Sequence, residues 1–279
     1  MNCPDFDRRF ADYIKAWMEA LPEDQQDVDE LEQQMPAVYE AFLETPADWL
    51  DGCRPGEYFE QWDSADLLID WMGEYIKAHI SVPDMLLNRI SDLGKAAEPV
   101  LDALLDHDGV SNEQRMLAIT LLREMDSRLP MARYIAWQQH REWLDELCDN
   151  ALDSLEQMGV DALPGLLEGL EGASDAGKEA ILSLLSRYPG EERTYQTLIE
   201  LFQKLPQRRA QLAAYLGRLG DDRALPVLME AAQEEKLRYL DYIELRNAIE
   251  QLGGDPPERE FYDDPEYEAL FGLQEERRP

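Results

Sequence analysis

Positive charge is scarce in this chain. Its 279 residues hold 26 lysines and arginines against 60 aspartates and glutamates, a formal net charge of −34. A protein that tracks a nucleic-acid backbone displaces counterions with a basic stripe, so direct nucleic-acid binding is not expected. Docking on an anionic membrane surface is disfavoured for the same reason. Long apolar runs are missing too, and no stretch approaches the roughly 18 residues that suggest a membrane span. The start, Met1-Asn2-Cys3-Pro4-Asp5-Phe6-Asp7, has no basic or hydrophobic leader region, so no signal peptide is expected. Cysteine occurs three times, at Cys3, Cys53 and Cys148. So sparse and odd a set fits a reducing, cytoplasmic location better than a disulfide framework.

Other absences narrow the chemistry. His79, His107 and His140 have no His or Cys neighbours at metal-ligand spacing, so no metal site is expected. There is no phosphate-binding or dinucleotide-binding glycine loop, no His-Glu-x-x-His, no Gly-x-Ser-x-Gly and no EF-hand loop. Carboxylates are so abundant that their presence alone does not imply acid–base catalysis. No catalytic residue and no cofactor is assigned, and the expectation is a protein without enzymatic activity.

What the chain does contain is apolar material in a helical pattern. Apolar residues make up 44%, including 6 Trp, 12 Tyr and 7 Phe, which argues against wholesale disorder. A short string recurs as Ala97-Glu98-Pro99-Val100-Leu101, Ala162-Leu163-Pro164-Gly165-Leu166 and Ala224-Leu225-Pro226-Val227-Leu228. The proline suits a first helical turn, where its missing N–H costs nothing. Copies between these strings appear when apolar residues are sought at i, i+3, i+4 and i+7. One series runs Ala118/Leu121/Leu122/Met125, Cys148/Ala151/Leu152/Leu155, Ile181/Leu184/Leu185/Tyr188, Leu212/Tyr215/Leu216/Leu219 and Leu245/Ala248/Ile249/Leu252. Its starts are 30, 33, 31 and 33 residues apart, within the range of helical-repeat arrays. A second series interleaves with it: Ala97/Val100/Leu101/Leu104, Met131/Tyr134/Ile135, Leu163/Leu166/Leu167/Leu170, Tyr195/Leu198/Ile199/Phe202 and Leu225/Leu228/Met229/Ala232. Gly94, Gly159, Gly190, Gly220 and the pair Gly253-Gly254 fall where helix C-caps belong. Residues 94–254 therefore read as five helix–turn–helix units.

The segment Leu219-Gly220-Asp221-Asp222-Arg223-Ala224-Leu225-Pro226-Val227-Leu228 resembles the short bacterial HEAT-like repeat named after phycobilisome lyases. The resemblance implies an all-α fold, a right-handed α-α superhelix of the HEAT/armadillo-like solenoid kind. It also implies a protein-binding scaffold, and it carries no catalytic residues over to this sequence.

Residues 1–93 read as a helical N-terminal cap without the period, with helices at about 5–20, 24–44, 64–79 and 83–93. The pair at 64–93 reads as a degenerate repeat. Residues 255–279 form an acidic tail whose Phe261, Tyr262, Tyr267, Leu270 and Phe271 are expected to pack back in part on the array. Charge gathers at the two ends: residues 1–80 hold 20 acidic and 5 basic residues, and residues 254–279 hold 9 and 3.

Several residues have a functional and a structural reading. Tyr239, Asp241, Tyr242, Glu244, Arg246 and Asn247 lie on the last second-series helix, the kind that lines the concave face of such arrays. They form the candidate partner-binding patch, since Tyr and Arg favour interface hot spots. Their alternative is an intrahelical ion-pair ladder with tyrosines wedged between units. Trp137, His140 and Trp143 recur every three residues and read as packing or as an aromatic patch on one helix. Cys148 reads as a small buried hydrophobe rather than a nucleophile. Pro46, Trp49, Pro55, Tyr58 and Phe59 read as helix starts anchored in a core, or as a recognition loop. The expected partner is a protein with a basic surface. The alternatives are a nucleic-acid mimic that occupies a partner's basic cleft and an enzyme with a groove site.

Overall fold

The computed structural model describes residues 2–22, 28–261 and 264–272. Among them there is no strand, and fourteen α-helices longer than one turn follow in order. They are α1 (Phe6–Ala20), α2 (Val28–Glu44), α3 (Ala65–Lys77), α4 (Asp84–Asp92), α5 (Glu98–Leu105), α6 (Asn112–Glu124), α7 (Met131–His140), α8 (Glu146–Met158), α9 (Leu163–Gly169), α10 (Asp175–Leu185), α11 (Glu192–Lys204), α12 (Arg209–Leu219), α13 (Leu225–Ala232) and α14 (Tyr239–Gln251). The expected start of the second helix, at 24, falls in residues outside the described set.

From α5 onward the helices alternate as the two apolar series do. The stripes of the even-numbered helices are the deep ones: Ala118, Ala151, Ile181, Leu212, Leu216 and Leu245 are each fully shielded from solvent. The odd-numbered helices bury a narrower edge, for instance Leu101, Leu198 and Leu228, and leave Val100, Ile199 and Met229 half-buried. Pro99, Pro164 and Pro226 all occupy the first turn of their helices. Gly220 ends α12 in the left-handed region at φ 75°, and its N–H closes back on the Leu216 carbonyl. That conformation is open to glycine at no steric cost.

The helices divide into two compact units, 1–130 and 131–279. This division falls one helix pair beyond the boundary at 93/94 that the repeat period suggests. The reason is packing: α5 and α6 lie against α3, and α6 also lies against α4.

The first unit closes around aromatic rings. Residues 45–61 hold one 3-10 turn, Asp48–Leu50, and a seven-residue 3-10 helix, Pro55–Gln61. Their rings point inward: Phe6 meets Trp49 at 5.2 Å, Phe59 meets Trp71 at 5.1 Å, and Trp62 meets Trp71 at 4.9 Å. Trp71 Nε1–H donates to the Asn2 carbonyl at 3.0 Å, which ties the chain start to α3. This segment anchors the core.

In the second unit, α7 stops at His140, so Trp143 stands beyond the helix and not on it with Trp137 and His140. Tertiary contacts set that stop. The Ser174 N–H donates to the Gln139 carbonyl at 2.9 Å, and the Ser174 hydroxyl donates to the Arg141 carbonyl at 3.0 Å. Cys148 is buried, and burial, followed by the neighbouring Asp145, pushes its thiol up to about 12. Cys53 is exposed. Thiol labelling at mildly alkaline pH is expected to modify Cys53 rapidly and Cys148 only on unfolding. Equal rates at both positions in the folded protein would contradict the packing of α7 on α8.

Candidate partner-binding cleft

After α14 the chain cannot continue as a helix, because Pro256 and Pro257 have no N–H to give. It turns back along α14 instead. Phe261, 7% exposed, lies 5.3 Å from the Tyr239 ring and 5.1 Å from the Tyr242 ring. The Tyr242 hydroxyl donates to the Pro257 carbonyl at 2.5 Å. Asp264 then caps two elements at once. Its carboxylate accepts from the Tyr239 N–H at 3.0 Å, and from the N–H groups of Glu266 and Tyr267 at 2.9 and 3.2 Å. Desolvation works to raise the Asp264 pKa, but these three donors, with Arg238 nearby, hold it below the usual carboxylate range. A single helical turn, Pro265–Tyr267, follows and brings Tyr267 to 5.0 Å from Tyr239.

Between this returning segment and α14 lies a cleft of about 680 Å³. Tyr239, Tyr242, Phe261 and Tyr267 give it aromatic walls. Its cations are engaged locally. Arg246 pairs with Glu250 at 2.8 Å. Arg259 donates to the carbonyls of Ala232, Glu234 and Glu235 at and just past the end of α13. Asp255, Glu258 and Glu260 also line the cleft. The cleft lining therefore carries two arginines against four carboxylates.

Of the six residues singled out by sequence, Tyr239, Tyr242 and Arg246 come together in this cleft. Asp241 is half-buried and pairs with Arg238 at 2.9 Å. Glu244, half-buried, and Asn247, exposed, lie on the same helix outside the lining. The tail residues opposite them were not singled out as binding residues. The signal was present in the run of aromatics within an acidic tail.

A second hollow, of about 200 Å³, opens where α8, α10 and α12 meet the α7–α8 loop. Arg141 pairs with Asp149 at 2.5 Å, and Arg208 grips Glu179 through two nitrogens. The Arg208 guanidinium also lies over the Trp143 ring at 5.3 Å. Sequence reasoning missed this hollow, because its residues come from positions up to 74 apart, Arg141 to Tyr215. Pairing across helix pairs recurs along the unit: Glu156 with Arg187, Asp175 with Lys204 and Glu192 with Arg223. Several cations of this unit thus stitch one helix pair to the next.

Residues 208–234, from the start of α12 through α13, match the family model of the PBS lyase HEAT-like repeat. The chain thus carries a HEAT-like repeat, a protein-interaction helical fold of a generally non-catalytic kind. No curated relative matches the sequence. No helix among the described residues is long and apolar enough to cross a membrane.

Proposed function

We propose that this HEAT-like repeat protein is a non-enzymatic adaptor that receives a protein partner with a basic surface. The observation that carries the reading is the charge of the cleft beside α14. Asp255, Glu258 and Glu260 stand at an aromatic-walled opening and have no cationic partner among the described residues, while both lining arginines are engaged. A cationic segment would be steered there by the acidic field and seated against the tyrosine rings. Tyr239, Tyr242 and Arg246 would form the floor of contact. Asp241, Glu244 and Asn247 would extend it along the helix.

The test is affinity capture from nuclease-treated native extract with wild-type protein and with Asp255→Lys/Glu258→Lys/Glu260→Lys. These side chains are exposed, so the fold is expected to survive. One stoichiometric basic protein, kept by the wild type at low salt, released as salt rises and absent from the variant, is the expected result. The same proteins on both baits would sink the assignment of the cleft. Release of the captured protein by added DNA would favour the nucleic-acid mimic instead.

A further inference from the structure

The segment that returns along α14 is held differently from the helices. Its root is Gly254, whose N–H donates to the Ile249 carbonyl at 2.9 Å. A Cβ there would stand 2.6 Å from the Leu225 Cδ2, so the chain is packed tightly up to this point. Beyond it the grip changes. No backbone–backbone hydrogen bond joins residues 255–261 or 264–272 to the rest of the chain among the described residues. Phe261 is buried, and the other side chains of 255–261 and 264–271 are half-buried or exposed.

Side chains do the holding instead. The Tyr242 hydroxyl takes the Pro257 carbonyl, Arg259 reaches the carbonyls at the end of α13, and Arg238 pairs with Glu266 at 3.4 Å. The decisive group is Asp264. Arg238 stands at the N-cap of α14 but its side chain caps nothing, since a guanidinium has no acceptor. Asp264 supplies the cap from the returning segment, accepting the Tyr239 N–H together with those of Glu266 and Tyr267. One carboxylate thus closes the first turn of α14 and the turn of the returning segment at once. A segment with one buried ring and no main-chain ladder opens at less cost than the helices it rests on.

We propose that the returning segment is a strap, latched by Asp264, that opens as one unit while the helices stay folded. Closed, it supplies Phe261, Tyr267, Glu258 and Glu260 to the cleft, and α14 supplies Tyr239 and Tyr242. Opening dismantles the cleft, bares both α14 tyrosines and uncaps that helix in a single step. Pro256 and Pro257 fix φ near the root, which favours a swing about Asp255 over gradual fraying. A molecule that fills the cleft holds the strap closed, and one that takes the bared face of α14 holds it open. The strap is therefore a switch on the site. Its opening does not depend on what the cleft receives, so it stands or falls apart from the adaptor reading.

Amide hydrogen exchange of the full-length protein, read by NMR, tests the strap. The amides of Tyr239, Glu266 and Tyr267 are expected to share one protection factor, roughly a hundredfold below that of Leu216 in the middle of α12. Asp264→Ala should lower all three by about tenfold, as loss of a helix cap does, and leave Leu216 unchanged. Asp264→Asn keeps a neutral acceptor and should lower them by less. Phe261→Ala is the stricter variant. Phe261 makes no hydrogen bond to any of the three amides, so it can lower them together only by loosening the strap as a whole. Protection equal to that of Leu216 would mean that the segment opens only when the array unfolds, and would overturn the proposal. So would a Tyr239 amide that stays protected in Phe261→Ala while those of Glu266 and Tyr267 are freed, because the two turns would then have no common latch.

Discussion

Replacing Gly177 with alanine is expected to destabilise the second unit by about 3 kcal/mol, although the same change in an open helix stabilises by about 1 kcal/mol. Gly177 is the third residue of α10. There the start of α10 docks backbone to backbone on the end of α7. Ser174 bridges the two through the Gln139 and Arg141 carbonyls, and its hydroxyl oxygen accepts the Gly177 N–H at 3.0 Å. A Cβ at 177 would clash with the Gln138 carbonyl oxygen and stand 3.1 Å from that of Gln139. Carbonyls held in a helix end cannot rotate away, so the two helices must part and the Ser174 bridge must stretch. Gly165→Ala makes the comparison. Its Cβ would meet the Ile135 Cδ1 at 2.6 Å, the far end of a flexible side chain. A rotamer change relieves that clash at about 1 kcal/mol. Chemical denaturation of both variants separates the cases. A Gly177→Ala protein as stable as wild type would show that α7 and α10 do not meet this closely.

Much of the fold was legible in the sequence because burial of one helix face leaves a one-dimensional trace. Leu212 and Leu216 are both fully buried, and their i, i+4 spacing already marked the face of α12. Gly220 and Pro226 bracketed the next turn for equally local reasons, a left-handed cap and a first-turn proline. What sequence did not show is set by residues far apart in the chain. Trp143 kept a helical spacing from Trp137, yet α7 ends at His140 where Ser174, 33 residues on from Arg141, takes up its last carbonyls. The cleft is of the same kind. Tyr239 and Tyr242 were visible as a pair, but their surroundings come from Pro257, Phe261 and Asp264, brought back by a segment with no period of its own. Cation placement was hidden too, because Arg208 finds Glu179 across 29 residues.

Gln138→Leu tests whether such a long-range polar contact specifies the second unit, and it is expected to cost about 3 kcal/mol. Leucine is apolar and close in size, and position 138 is fully buried, so burial alone would favour the change. The amide is nevertheless held at both ends. Its nitrogen donates to the Cys148 carbonyl at 2.7 Å, and its oxygen accepts from Arg141 Nη1 at 3.1 Å. The Arg141 side chain is 6% exposed, so water cannot readily replace the lost acceptor, and a buried guanidinium N–H is left unpaired. The loss should therefore depend on the arginine still being there. Arg141→Met in the same chain removes the stranded donor and fills its channel, leaving Asp149, which is 61% exposed, to the solvent. The double variant is expected to recover most of the stability that Gln138→Leu loses, because replacing both partners of a buried polar pair is far less costly than removing one. A double-mutant cycle on unfolding midpoints reads the coupling directly. Additive losses would mean that Gln138 and Arg141 act separately. A coupling near the size of the single loss would mean that the α7–α8 turn is fixed by this buried polar contact rather than by its apolar stripe alone.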